Sequence, residues 1–147
     1  MTDTPFPPIQ AFLAVGLAWF SSQVLKVVRG ITAQRRFNFR WLFDTGGMPS
    51  SHSASVSSLA TSTGLYYGFD SMPFLLALIF AIITMFDAAG VRRAVGRQAR
   101  VLNTMLDDLT VKGRVQETRL KELLGHTPIE VFAGAFLGVL ISWLVCR

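Results

Sequence analysis

The chain has 147 residues, of which 51% are hydrophobic and only 16% charged, with a mean hydropathy of +0.45. That charge content is well below the roughly 25% of soluble domains, which excludes an ordinary water-exposed globule and makes a bilayer the expected solvent. The formal net charge is +5. Because the basic residues stand between apolar runs, anionic lipid head groups rather than nucleic acid are the partners this charge implies. The single cysteine, Cys146, excludes an intrachain disulfide and a cysteine metal cluster.

A membrane span needs roughly 20 mostly apolar residues. In chain order, the first such run is 9–28, with Lys26 near its end, whose stem can snorkel. No basic residue precedes it, so it reads as a retained span rather than a signal peptide. A basic connection from Arg29 to Ser53 follows. The second run, 54–69, carries Ser55, Ser57, Ser58, Thr61, Ser62 and Thr63. Such a helix suits the inside of a bundle, where hydroxyls find partners and small residues admit close approach. After a tiny turn at Asp70 and Ser71 comes the third run, 72–91.

The next connection holds Arg92, Arg93, Arg97, Arg100, Lys112, Arg114, Arg119 and Lys121. Its apolar residues recur at helical spacing opposite Arg93, Arg97 and Arg100, the pattern of an amphipathic helix or of an extension of the third span bent at Gly90. Residues 115–124 form a second short amphipathic candidate. The last run, 129–146, carries Gly134 and Gly138 at small-xxx-small spacing, a packing seam that also admits a homodimer. The expected architecture is therefore an all-α polytopic membrane bundle of one domain, 1–147, with about four spans and amphipathic helices at the cytoplasmic face. The positive-inside rule puts both basic connections in the cytoplasm and both termini outside.

That topology, derived from loop charge alone, gathers the polar groups of the chain at one face. His52 follows Gly46-Gly47-Met48-Pro49-Ser50-Ser51 at the start of one helix, and His126 precedes Thr127-Pro128-Ile129-Glu130 at the start of another. Lys26, Asp87, Arg92 and Arg93 fall at the same ends of their spans. Helix N-termini attract phosphate through orphan N–H donors and the helix dipole. Gly47, Ser50, Ser51 and the cationic residues would complete such a site. One histidine can attack phosphorus while the other protonates the departing alkoxide. Plainer roles exist for the same residues. Ser50 or Ser51 can be an N-cap, Gly46-Gly47 a turn, and Thr127-Pro128-Ile129-Glu130 a capping box in which Glu130 caps, orients His126, or does both.

Pro49-Ser50-Ser51-His52 resembles the Pro-Ser-Gly-His motif of the type 2 phosphatidic acid phosphatase superfamily, which includes lipid phosphatases and vanadium haloperoxidases. The segment from Gly125 to Gly134, a histidine followed four residues later by an acid, resembles the last motif of that superfamily. With Asp87-Ala88-Ala89-Gly90-Val91-Arg92, the chain from about Lys26 to Gly138 looks like its divergent branch. The resemblance implies His126 as nucleophile of a phosphohistidine intermediate, His52 as general acid, Ser50, Ser51 and Lys26 as phosphate contacts, and no metal or other cofactor.

The sequence departs from the superfamily at Ala33 and Gln34, where an Arg-Pro pair is usual, and at Leu120, where Arg is usual and Arg119 stands one residue back. Glu130 replaces the usual Asp. Arg119, Arg92, Arg93 and Asp87 are retained as candidate phosphate contacts or organisers. The implied activity is removal of phosphate from a phospholipid or polyprenyl phosphate, and the alternative is a membrane scaffold or transport component that binds anionic lipid without turnover. Asp87 to Arg92 with Asp107-Asp108 faintly resembles the motif of magnesium-dependent cytidine-diphosphate-alcohol phosphotransferases, but those later aspartates are adjacent here rather than spaced.

Overall fold

A computed structural model describes residues 8–35, 47–110 and 126–147, with the backbone alone at 34, 91–93 and 107–110. The described residues form five helices and no strand: α1 (Pro8–Gln34), α2 (Ser51–Tyr67), α3 (Met72–Ala89), α4 (Val91–Thr110) and α5 (Pro128–Val145). The segments Pro8–Ala33, Met72–Leu106 and Pro128–Val145 are long and apolar enough to cross a membrane. The protein is an integral membrane helix bundle.

Which side chains lie inside explains the solvent. Large apolar residues such as Phe12, Phe80, Phe86, Phe132 and Leu144 are exposed, whereas most of the buried positions are small, among them Ala14, Ala18, Ala54, Ala60, Ala81 and several serines. In water this arrangement would waste the hydrophobic effect. In lipid it is favourable, because helices associate there through close backbone approach and interhelical hydrogen bonds rather than through burial of large apolar groups.

α2 is the inner helix expected from its hydroxyl content, packed against α1, α3 and α5. Its hydroxyls find partners across the bundle. Ser58 and Ser62 both reach Ser142 Oγ on α5, at 2.7 and 3.2 Å, and Ser142 donates to the Ser58 carbonyl at 2.9 Å. α2 begins three residues before the apolar run that marks it, because Ser50 caps it by accepting from Ser53 N–H at 3.3 Å. It ends at Gly68, whose φ of 95° lies in the left-handed region. Ser71 then caps α3 through Phe74 N–H. At 17 residues α2 is about 26 Å long, close to the thickness of the hydrocarbon core.

The glycines of α5 set how closely it meets α2. A Cβ at Gly134 would strike the Ser50 carbonyl oxygen, and one at Gly138 the Ala54 carbonyl oxygen. The small-xxx-small motif is thus occupied within the chain, and a homodimer would need another face. Gly138→Ala has backbone, not a movable side chain, in its way, so α5 must shift. The expected loss is about 1–3 kcal/mol of stability, visible as a lowered thermal midpoint in detergent.

Two element ends differ from the hydropathy pattern. α1 continues past Val28 to Gln34, so Arg29 is helical rather than part of the connection. Hydropathy marks where a chain leaves lipid, not where a helix stops. Arg29, Ala33 and Gln34 are good helix formers and carry the helix through Gly30 and Thr32 to Arg35, which takes a φ of 51°. At the other junction, Gly90 alone separates α3 from α4, and among the described helices α4 touches only α3. The short helix expected at 115–124 lies outside the described residues.

Candidate active site at the helix N-termini

α1, α2, α3 and α5 alternate in direction, so the C-terminal ends of α1 and α3 meet the N-terminal ends of α2 and α5. Three contacts close this junction. Ser50 N–H donates to the Glu130 carbonyl at 3.0 Å, His126 N–H donates to the Ala88 carbonyl at 3.1 Å, and Lys26 Nζ donates to Ser51 Oγ at 3.2 Å. Each of the four helices is thereby tied to another at the level where the polar residues lie.

His126 is the largest fully buried side chain among the described residues, with 2% of its surface exposed. Burying an imidazole requires a partner, and Glu130 provides one: Nδ1 lies 3.2 Å from Oε2. The same Oε2 accepts Thr127 N–H at 2.9 Å, while Thr127 Oγ1 accepts Glu130 N–H at 3.4 Å, a complete capping box. The capping and orienting roles of Glu130 are therefore held at once. With a proton on Nδ1 directed at the carboxylate, the lone pair of the ring is on Nε2.

His52 is half-buried on the first turn of α2, and its ring centroid lies 6.3 Å from that of His126 with a 58° tilt. The two imidazoles are thus neighbours at one junction, the arrangement a nucleophile and a general acid acting on one phosphoryl group require. Lys26 is only 7% exposed, so the charge it brings to this junction acts in surroundings that screen it little. Gly47, on the approach to α2, has a φ of 96°, a backbone region that L side chains rarely adopt.

Other expected residues are less central. Ser50 Oγ is committed to its cap, leaving its hydroxyl proton as what it can offer a ligand. Asp87 is half-buried, one residue before the carbonyl that holds His126. Arg92 and Arg93 fall on the first turn of α4, but their side chains lie outside the described residues, as does Arg119 entirely. Arg29, which hydropathy places in a connection, lies on α1. Its i, i+3 relation to Lys26 is the signal that places it on a neighbouring part of one helical face.

The family model described as the divergent PAP2 family matches residues 9–141, an interval that takes in Lys26, both histidines and Glu130. The chain belongs to the divergent PAP2 family. It is 41% identical over 150 residues to "Uncharacterized membrane protein YuiD" of Bacillus subtilis (strain 168), covering 95% of this chain and 92% of that one. No solved structure matches the chain. For a member of the divergent PAP2 family, the altered arginine positions coexist with a junction in which a buried lysine, a serine-capped helix and a carboxylate-oriented histidine still meet.

Proposed function

We propose that the protein is a lipid-phosphate phosphatase working through a phosphohistidine on His126. The observation that carries this reading is the pair of histidines at adjacent helix N-termini, 6.3 Å apart, with one ring held by Glu130. A buried histidine serving structure alone has no need of a second imidazole at that distance or of a buried lysine beside it.

In the first step His126 Nε2 attacks phosphorus and the P–O bond to the lipid breaks. The leaving alkoxide takes a proton from His52, and the lipid alcohol departs. In the second step the now neutral His52 takes a proton from water as that water attacks phosphorus. The P–N bond breaks, inorganic phosphate leaves, and both histidines return to their starting states. Negative charge on the non-bridging oxygens is met by Lys26, by the Ser51 hydroxyl and by the N-terminal dipoles of α2 and α5. Loop charge supports a cytoplasmic site, with both termini on the other side.

Phosphate release from a panel of lipid monophosphates and diphosphates, in EDTA and with detergent-purified protein, tests this directly. EDTA-resistant release is expected from at least one of them. Vanadate binding with no release from any substrate would instead favour the non-catalytic lipid-binding role. Glu130→Gln retains an amide oxygen to accept Thr127 N–H, so the cap should persist while the carboxylate behind the imidazole is lost. The expected outcome is a fall in kcat of about 10²-fold with an unchanged thermal midpoint.

A further inference from the structure

Between α1 and α5 runs a groove of about 500 Å³, walled by Leu25, Val28 and Arg29 on one side and Phe136 and Leu140 on the other, with Pro49 at one end. We infer that this groove holds one hydrocarbon chain of the lipid phosphomonoester whose phosphate occupies the histidine site. The inference rests on reading that junction as a lipid-phosphate site.

Position is the first argument. Pro49 leads directly into Ser50, whose N–H is bonded to the Glu130 carbonyl, so the groove opens from the junction that holds His126. α5 descends from His126 past Phe136 to Leu140, about 20 Å along its axis. A lipid anchored by its phosphate at the top of α5 must send its chain down this wall or a neighbouring one.

Polarity is the second. α1 and α5 run in opposite directions, so the site end of the groove is lined by Arg29 and Thr32 from α1 and the far end by Leu137 and Leu140 from α5. The cationic and hydroxyl groups sit where a phosphate would, and purely apolar side chains sit where a chain would. This gradient matches the amphiphile. Phe136, 71% exposed, stands at the side of the groove that opens toward lipid, which provides lateral access from the bilayer. Arg29 supplies a cation one turn beyond Lys26, in a chain that has Ala33 and Gln34 where its superfamily has Arg-Pro.

The test uses the full chain in phosphatidylcholine nanodiscs with phosphatidate carrying a diazirine near the end of one acyl chain. Phosphatidylcholine bearing the same diazirine serves as the control. After irradiation, mass spectrometry of peptides is expected to find the phosphatidate label concentrated on residues 25–32 and 133–140, in clear excess over the control label. Leu140→Trp, at a position 43% exposed, should abolish that excess by filling the groove, with an unchanged thermal midpoint as the check on folding. Arg29→Gln should lower it several-fold. Equal labelling by both lipids, or an excess that survives Leu140→Trp, would overturn the inference. Groove labelling by phosphatidate in a protein that releases no phosphate from any lipid would support the groove while removing the hydrolytic reading of the site.

Discussion

Replacing His126 with alanine or glutamine is expected to reduce phosphate release by at least about 10⁴-fold while the protein stays folded. The nucleophile is the one group in the proposed pathway with no substitute, since it alone forms the bond to phosphorus. Folding should survive because backbone groups hold the segment. His126 N–H bonds the Ala88 carbonyl, and the capping box joins Thr127 to Glu130 without using the imidazole. Glutamine keeps most of the buried volume and guards against a cavity effect. Phosphate release measured beside the thermal midpoint separates the two quantities. A variant that melts like the wild type and still turns over would remove His126 from the chemistry.

His52→Ala is expected to slow hydrolysis of alkyl lipid phosphates by about 10²–10⁴-fold, the range for loss of a positioned general acid. The effect should depend on the leaving group. An alkoxide needs its proton, whereas an aryl oxide departs without one, so in the same variant the first step, read as the burst of released alcohol or phenol, should be slowed much less for an aryl phosphate. The pH profile carries a second signature. A general acid works only while protonated, so its contribution falls as pH rises. Loss of His52 should therefore flatten the alkaline limb for alkyl substrates. An equal slowing of that first step on both substrate types, with the limb unchanged, would reassign His52 to phosphate binding or to structure.

Much of this architecture is legible in the residues. The apolar runs locate α1, α3 and α5 because crossing lipid demands length and hydropathy together. The serines and threonines of α2 mark it as interior because they could not face lipid all round. What those patterns omit is pairing. Gly134 and Gly138 announce a close approach but not to whom, and the structure directs them to the Ser50 and Ala54 carbonyls of α2. Ser142 is an ordinary residue in an apolar run until Ser58 and Ser62 meet it across 84 and 80 positions of sequence.

The candidate site shows the same division. Loop charge alone brings Lys26, His52 and His126 to one face, because alternation of direction in a short bundle leaves no other arrangement. The double use of Glu130 follows from its place four residues after His126 and three after Thr127. Arg29 was obscured for a physical reason. Its charge ends the hydropathic run, yet the helix continues beneath it and carries it to the groove between α1 and α5.

The central claim is that phosphate becomes bonded to His126, and the most direct measurement is to trap it there. In His52→Ala, given an aryl phosphate whose leaving group needs no acid, the first step proceeds while hydrolysis of the intermediate lacks its base. Peptide mapping by mass spectrometry after a neutral quench should then find an acid-labile phosphoryl adduct on His126 that is absent from the His52→Ala/His126→Gln double variant. An active wild-type enzyme with no adduct on His126, or with the adduct on another residue, would contradict the account.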